Sequence, residues 1–384
     1  MNNFEFYCPT KMVFGKGSIA KLSELIDKDK KVLMIYGGGS IKKNGVYDQV
    51  KEALKNHKVF EFSGIEPNPT YETCMKAVEI VKKENIDFLL AVGGGSTLDG
   101  TKFIAVASKY QGEEPYDLIS KDLPFYEALP LGSVMTLPAT GSEMNCASVV
   151  SRTSTQEKFA MRNPSVYPQF SIIDPETTYS LPIEQVRNGI VDTFVHVMEL
   201  YATYDVNTPL QDSWALGLVK TLIQEAPKVL KNNQDYDAKA NICWCATCGL
   251  NYWLGVGAVQ DWSTHRIGHE LTAFYGLTHG QSLAVVLPRL WQERKKEKAT
   301  KLAKLAREVY DCKEADDLKA SDCAIKKTEE FFNSIGMPTK LSDYNVNPLE
   351  AAQRIKERFK KRDTLLGEDL KVTPQMTYDI LKNC

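Results

Sequence analysis

Histidine is scarce in this chain, with five in 384 residues. No apolar run approaches the ~20 residues needed to span a bilayer, which excludes a transmembrane helix. The start Met1-Asn2-Asn3-Phe4-Glu5 has neither the basic residues nor the apolar stretch of a signal peptide. Neither sign of charge dominates: 47 Lys plus Arg against 49 Asp plus Glu leaves a net charge of −2. That balance argues against nucleic acid or an anionic membrane as a partner. Nine cysteines, an odd number in a chain of this size, argue against a disulfide framework. The expected setting is reduced and cytoplasmic. Cys243, Cys245 and Cys248 lie close together, but no second pair sits nearby to complete a Cys₄ site. They read as small apolar side chains of a buried helix.

What is present changes character half-way along. Apolar runs at 32–36, 58–62, 88–92, 134–137 and 171–173 alternate with helical spacing over 47–56, 71–85 and 97–109. Continuous apolar strands alternating with helices predict a parallel sheet covered on both faces. Beyond Ser180-Leu181-Pro182 long helical patterns take over, clearest over 183–203, 207–231, 237–255 and 300–310. The expected division is an α/β domain over 1–180 and an all-α domain over 181–384. The basic run Arg294-Lys295-Lys296-Glu297-Lys298 reads as a solvated helix face or loop.

Two of the strands end in the same turn, Gly37-Gly38-Gly39-Ser40 and Gly93-Gly94-Gly95-Ser96. Glycine after a strand lets the backbone approach a phosphate, and the next helix offers free N–H groups. Neither turn fits Gly-x-Gly-x-x-Gly or a P-loop. Both lie at strand C-terminal ends, where ligands of open α/β sheets bind. The first turn carries no acid for a ribose 2′-hydroxyl, and Lys42-Lys43 follow it. Small residues beside cations suit a 2′-phosphate, so the expected cofactor is NADP(H).

Four of the five histidines, His196, His265, His269 and His279, fall in the helical half; His57 stands apart and reads as a surface residue. Asp192 and His196 are spaced i, i+4, as are His265 and His269, so each pair shares a helix face. Singly, each histidine reads as an ordinary core or surface residue. Together, three imidazoles and a carboxylate make a divalent-metal site that Zn(II) or Fe(II) accepts. Trp253, Trp262, Phe274 and Tyr275 lie near these segments and read either as pocket lining or as helix core.

The segments Tyr36 to Gly45, Glu66-Pro67-Asn68-Pro69-Thr70, Gly93 to Asp99 and Leu137 to Asn145, with Asp192, His196, His265 and His279, occur in an order and spacing that resemble one family end to end. The chain is similar to the iron-containing (metal-dependent, group III) alcohol dehydrogenases, in their NADPH-dependent butanol dehydrogenase and aldehyde reductase branch. The resemblance implies a dehydroquinate synthase-like fold: a Rossmann-like dinucleotide-binding α/β domain followed by an all-α metal-binding domain. It implies Asp192, His196, His265 and His279 as ligands of one divalent metal, and His269 as a non-ligand histidine in a proton relay. It places the pyrophosphate on Gly94, Gly95 and Ser96, and the 2′-phosphate at Gly38, Gly39 and Ser40. Asn68, Asp99, Thr136, Thr140, Asn145, Lys158 and Tyr179 match further cofactor contacts. The implied reaction interconverts primary alcohols and aldehydes, in a homodimer acting on short and medium linear aldehydes. Two rival readings are a sugar-phosphate cyclase of the dehydroquinate synthase type and a non-catalytic metal- or nucleotide-binding module. A cyclase needs a set of cations for its phosphorylated substrate, and Arg266 is the cation found beside a ligand candidate.

Overall fold

The computed structural model describes all 384 residues. The chain forms two compact units. One comprises Tyr7–Leu181 and Asn233–Thr247; the other comprises Met1–Phe6, Pro182–Asn232 and Cys248–Cys384.

The first unit runs β1 (Lys11–Phe14), α1 (Leu22–Leu25), β2 (Lys31–Tyr36), α2 (Ser40–Lys43), α3 (Val46–Ala53), β3 (Lys58–Ser63), α4 (Tyr71–Glu84), β4 (Phe88–Gly94), α5 (Gly95–Ala107), α6 (Asp117–Ser120), β5 (Leu131–Leu137), β6 (Ala147–Arg152), β7 (Glu157–Arg162) and β8 (Phe170–Ile173). Six strands form a sheet in the order β1-β8-β5-β4-β2-β3, parallel throughout. Val32, Met34 and Tyr36 of β2 join the core beneath Leu22, Val46 and Val50, while Leu33 and Ile35 are equally buried on the other face. Burial on both faces explains why the central strands read as continuous apolar runs. Strands β6 and β7 form a separate antiparallel ribbon. Nine of that ribbon's twelve positions are not buried, and β1 is four residues long; neither shows a strong apolar run in the sequence.

The topology places the two glycine turns. β2 is flanked by β3 and β4, and β4 is flanked by β2 and β5. The chain moves outward from β2 to β3, returns past β2 to β4, and then continues the other way. Strand order therefore reverses between β2 and β4, and the C-terminal ends of these neighbours are the switch point where ligands of such sheets bind.

The helices that follow are α7 (Ile183–Tyr201), α8 (Pro209–Lys231), α9 (Tyr236–Gly249), α10 (Ser263–Tyr275), α11 (His279–Glu293), α12 (Lys295–Val309), α13 (Asp317–Ser334), α14 (Pro348–Lys361) and α15 (Pro374–Lys382). In the helical unit α11 is central: its residues from Ser282 to Leu287 are all buried. Its Val285, Val286 and Leu290 pack with Ile267 and Leu271 of α10, Ile355 and Phe359 of α14, and Ile380 of α15. No helix is long and apolar enough to cross a membrane.

The reading of the 294–298 run as a solvated face needs correction. Arg294 and Lys298 are each only 1% exposed. Arg294 pairs with Asp369 at 2.9 Å. Lys298 pairs with Asp261 and Glu368, both at 2.9 Å. Spacing i, i+4 puts the two cations on the inner face of one helix, and acids distant in sequence draw them in. Lys296 and Glu297 do face solvent.

Candidate functional site

Three helices bring the histidine cluster together. Asp192 and His196 stand one turn apart on α7, a helix buried on nearly every face from Asn188 to Tyr201. His265 and His269 repeat that spacing on α10. His279 is the first residue of α11, whose start is set by a capping box between Thr278 and Gln281. Thr278 Oγ1 also donates to Asn188 Oδ1 at 2.8 Å, tying the start of α11 to α7 four residues before Asp192. Gly280 makes this approach feasible, because a Cβ there would sit 2.7 Å from the Asn188 Cα.

Asp192 Oδ1 lies 3.5 Å from His265 Nε2, 3.3 Å from His279 Nε2 and 3.6 Å from His196 Nδ1. The donor atoms of Asp192, His265 and His279 all lie within 4.8 Å of one another. The His196 ring stacks on that of His265, with centroids 4.5 Å apart. Burial pushes the Asp192 carboxyl up, but His196, His279 and His265 around it hold it well below the usual range. Burial would depress His265, yet Glu199 and Asp192 outweigh it and lift the imidazole to about 9.

These residues fit a divalent cation. Asp192 Oδ1 and His265 Nε2 are buried and make no hydrogen bond within the protein, a costly state that a shared cation would relieve. A carboxylate with imidazoles is also the donor chemistry of Zn(II) and Fe(II) sites.

His269 is half-buried beside this group, its ring centroid 5.6 Å from His279 and 6.3 Å from His265. Of the four nearby aromatics, Trp262 packs by the histidines, 5.5 Å from His265 and 6.2 Å from His196. Phe274 and Tyr275 pack against the helical core, and Trp253 stacks on Trp214. Arg266 is exposed, while its neighbour His265 is buried. His57, half-buried in the α/β unit, donates from Nε2 to the Ile26 carbonyl at 2.9 Å.

The nucleotide candidates gather around the β4–α5 turn. α5 begins without a side-chain cap and without an acid in its first turn. Its leading N–H groups and positive dipole end therefore suit an anion. Glycine is required by close neighbours: a Cβ on Gly94 would lie 2.9 Å from the Leu137 Cβ, and one on Gly95 would collide with Thr140. Asn68, in a left-handed conformation with φ 61°, bridges two other candidates. Its N–H donates to Ser96 Oγ at 3.3 Å, and its Oδ1 accepts from Lys158 Nζ at 2.8 Å. Thr136 is buried near the end of β5.

Asp99 turns its carboxylate into the protein, accepting from Ser142 Oγ at 2.7 Å and from the Val149 N–H at 3.1 Å. Beside it, the buried Lys102 donates to Ser142 Oγ at 2.8 Å, Asn145 Oδ1 at 3.1 Å and the Ser142 and Ala147 carbonyls. Burial pushes the Lys102 ammonium down to about 8 against the pull of Asp99. Asp99 and Lys102 thus hold the loop that carries Thr140 and Asn145.

The first turn lies alongside, since a Cβ on Gly37 would come within 3.9 Å of Thr97 Oγ1. Gly38 has open space beside it, and Gly39 takes φ 95° before Ser40 starts α2. Asn44 at the end of α2 donates to Ser180 at 3.0 Å, which brings Tyr179 into the neighbourhood. Glu61, on the adjacent β3, already accepts from Tyr36, Tyr47 and Lys51 at 3.2, 2.8 and 3.1 Å. Lys42 lies over the Tyr36 and Tyr47 rings, and Lys43 is exposed.

Comparison with known proteins finds matches over nearly the whole chain. Residues 9–175 match the family described as iron-containing alcohol dehydrogenase, and residues 187–378 match the C-terminal part of the Fe-containing alcohol dehydrogenase family. The chain belongs to the iron-containing alcohol dehydrogenase family. It is 48% identical to the NADPH-dependent aldehyde reductase YqhD of Escherichia coli, covering 97% of each chain. It is 42% identical to the probable NADH-dependent butanol dehydrogenase 1 of Bacillus subtilis, over 90% of this chain and 91% of that one. The crystal structure of E. coli YqhD superposes with a TM-score of 0.97, covering 100% of this chain and 98% of that one at 46% identity.

Sequence reasoning overlooked Glu199, which contacts His265, and Lys102, which contacts Asn145; it also overlooked Asp261, which closes the start of α10 onto α7. A signal for Glu199 was present: positions 192, 196 and 199 form an i, i+4, i+7 polar stripe in the mostly apolar stretch from Gly189 to Tyr201.

Proposed function

We propose that this chain is a metal-dependent, NADP(H)-linked oxidoreductase that interconverts primary alcohols and aldehydes. The observation that carries the reading is the convergence of Asp192, His265 and His279, with Asp192 Oδ1 and His265 Nε2 buried and lacking hydrogen bonds. The helical part from 181 onward holds the metal, and the part up to 180 holds the nucleotide. Asp192, His196, His265 and His279 would bind one divalent ion, Fe(II) or Zn(II), which supplies Lewis acidity at the substrate oxygen. NADP(H) supplies the hydride chemistry.

The remaining work falls to side chains. Asp192 stays ionised and offsets part of the charge of a dication. Trp262 covers the His196 and His265 rings and keeps water from that side. His269, beside the cluster but further from Asp192's partners, holds the proton that the alcohol oxygen gains on reduction and gives up on oxidation. Gly94, Gly95 and Ser96 seat the pyrophosphate at the start of α5, with Asn68 and Lys158 beside them and Thr136 and Tyr179 at the margins.

The names of the relatives divide between NADPH and NADH, so this chain's own residues support the cofactor choice. The glycine turn offers space at Gly38, the carboxylate of Glu61 is already engaged, and Lys43 is exposed nearby. These features suit a 2′-phosphate. Steady-state kinetics with linear C3 to C6 aldehydes and each cofactor test the reading. A kcat/KM at least tenfold higher with NADPH is expected, and a preference for NADH would overturn the role given to the first turn.

A further inference from the structure

We propose that Glu199 is a positioning residue for the metal centre, fixing the ring of His265 so that Nδ1 carries its proton and Nε2 is left bare for the metal. The inference rests on the metal reading above and concerns a residue outside the ligand set.

The start of α10 needs help from elsewhere. Its N-cap position is Trp262, which makes no side-chain cap. Four leading amides of a helix lack partners within it. Ser263 N–H is taken by Asp261 Oδ1 at 2.9 Å. The next two amides, of Thr264 and His265, both donate to Glu199 Oε1, at 2.7 and 3.2 Å. The other oxygen of the same carboxylate, Oε2, accepts from His265 Nδ1. Glu199 thus binds the backbone and the ring of one residue together. The Asp261 N–H, donating to the Glu199 carbonyl at 2.8 Å, closes the segment onto α7.

Glu199 is buried, 3% exposed, and sits on the face of α7 that carries Asp192 and His196. With the backbone and Nδ1 both held, the His265 ring has one direction left for Nε2, and that atom lies 3.5 Å from Asp192 Oδ1. Carboxylates that accept the second N–H of a ligating histidine orient it and raise its basicity, and their loss typically weakens metal binding 10–100-fold.

Glutamine is the informative replacement. Its amide oxygen can still accept the two backbone N–H groups, but its NH₂ then faces Nδ1. A donor there requires Nδ1 to be an acceptor, which moves the ring proton to Nε2, the atom needed by the metal. Turning the amide round instead opposes its NH₂ to two N–H donors.

Metal-free wild type, Glu199→Gln and Asp261→Asn are titrated with zinc against a chromophoric chelator, with NADPH binding followed by fluorescence as a check of folding. Glu199→Gln is expected to bind zinc 10–100-fold more weakly while NADPH affinity stays within twofold. Asp261→Asn, which disturbs the same helix end but leaves the Nδ1 contact, is expected to keep zinc affinity within threefold. Zinc binding by Glu199→Gln within threefold of wild type overturns the proposal. Failure of wild type to bind zinc or iron at all overturns the metal reading itself, a different result. Should the glutamine variant not fold, nitrogen-15 spectra of the imidazoles in zinc-loaded wild type decide. Zinc on Nε2 of His265 with a proton on Nδ1 is expected, and zinc on Nδ1 overturns the proposal.

Discussion

Lys158 donates from its ammonium to Asn68 Oδ1 across 2.8 Å, joining residues 90 positions apart. Because the Asn68 N–H also reaches Ser96, the ribbon strand β7, the loop before α4 and the first turn of α5 meet at one place. A cation at that place suits an anion. Lys158→Met is expected to weaken NADPH binding about tenfold, the size of one charge-assisted hydrogen bond. Zinc or iron stoichiometry should not change. Fluorescence titration with NADPH checks this, and unchanged affinity would leave the Lys158–Asn68 contact with a purely structural role.

Gly38 and Gly95 respond differently to substitution. Nothing lies within 4 Å of a Cβ at Gly38, so Gly38→Asp is expected to fold with a Tm close to wild type. Its carboxylate should lower kcat/KM for NADPH at least tenfold and for NADH much less. Gly95→Ala drives a methyl group into Thr140. It is expected to cost about 1–3 kcal/mol by overpacking and to weaken both cofactors alike. The ratio of the two kcat/KM values, measured for both variants, separates the effects.

Lys102 predicts a pH dependence of stability. Its folded pKa of about 8 lies below the ordinary lysine value of 10.5. Between those values the unfolded chain binds more protons than the folded one, so this group's contribution rises with pH across that window. Urea unfolding of wild type and Lys102→Met is compared at pH 7.5 and 10. The stability difference in favour of wild type should grow at the higher pH, by up to about 3 kcal/mol. A difference that shrinks or stays flat would show that the buried amine is not held down in the native state.

Lys298 is a stability prediction for the helical unit. Its ammonium is enclosed by the Ala202 carbonyl at 2.6 Å and by Asp261 and Glu368 at 2.9 Å. Both acids are nearly as buried as the lysine itself. Lys298→Met leaves two buried carboxylates without their cation and is expected to cost about 3–5 kcal/mol. Denaturant unfolding followed by tryptophan fluorescence checks it; a loss below 1 kcal/mol would contradict the structure there.

Those residues also show what could be read in advance. The parallel sheet was legible because β2, β4 and β5 are buried on both faces and so read as unbroken apolar runs. The Asp192–His196 and His265–His269 pairs were legible because helical spacing fixes which residues share a face. Spacing does not fix direction: His265 turns Nε2 toward Asp192, while His269, one turn on, stands apart from the shared donor set. The proposed cofactor contacts at Asn68, Lys158 and Tyr179 rested on family resemblance, since no local pattern joins positions so far apart in sequence. Arg294 and Lys298 misled because charge predicts solvent only where no acid waits to pair with it inside, and Asp369, Asp261 and Glu368 come from distant segments. Glu199 was hidden for the same reason: its partners on α10 lie 65 and 66 residues away.

One divalent ion, held by Asp192, His196, His265 and His279, is proposed to switch the enzyme on. Metal-free protein is titrated anaerobically with Fe(II), and separately with Zn(II), while NADPH oxidation by butanal is followed by absorbance. Activity is expected to rise from near zero and level off at one equivalent per chain, and to stay near zero throughout for His265→Ala. Full turnover by the metal-free protein, or by His265→Ala, would contradict it.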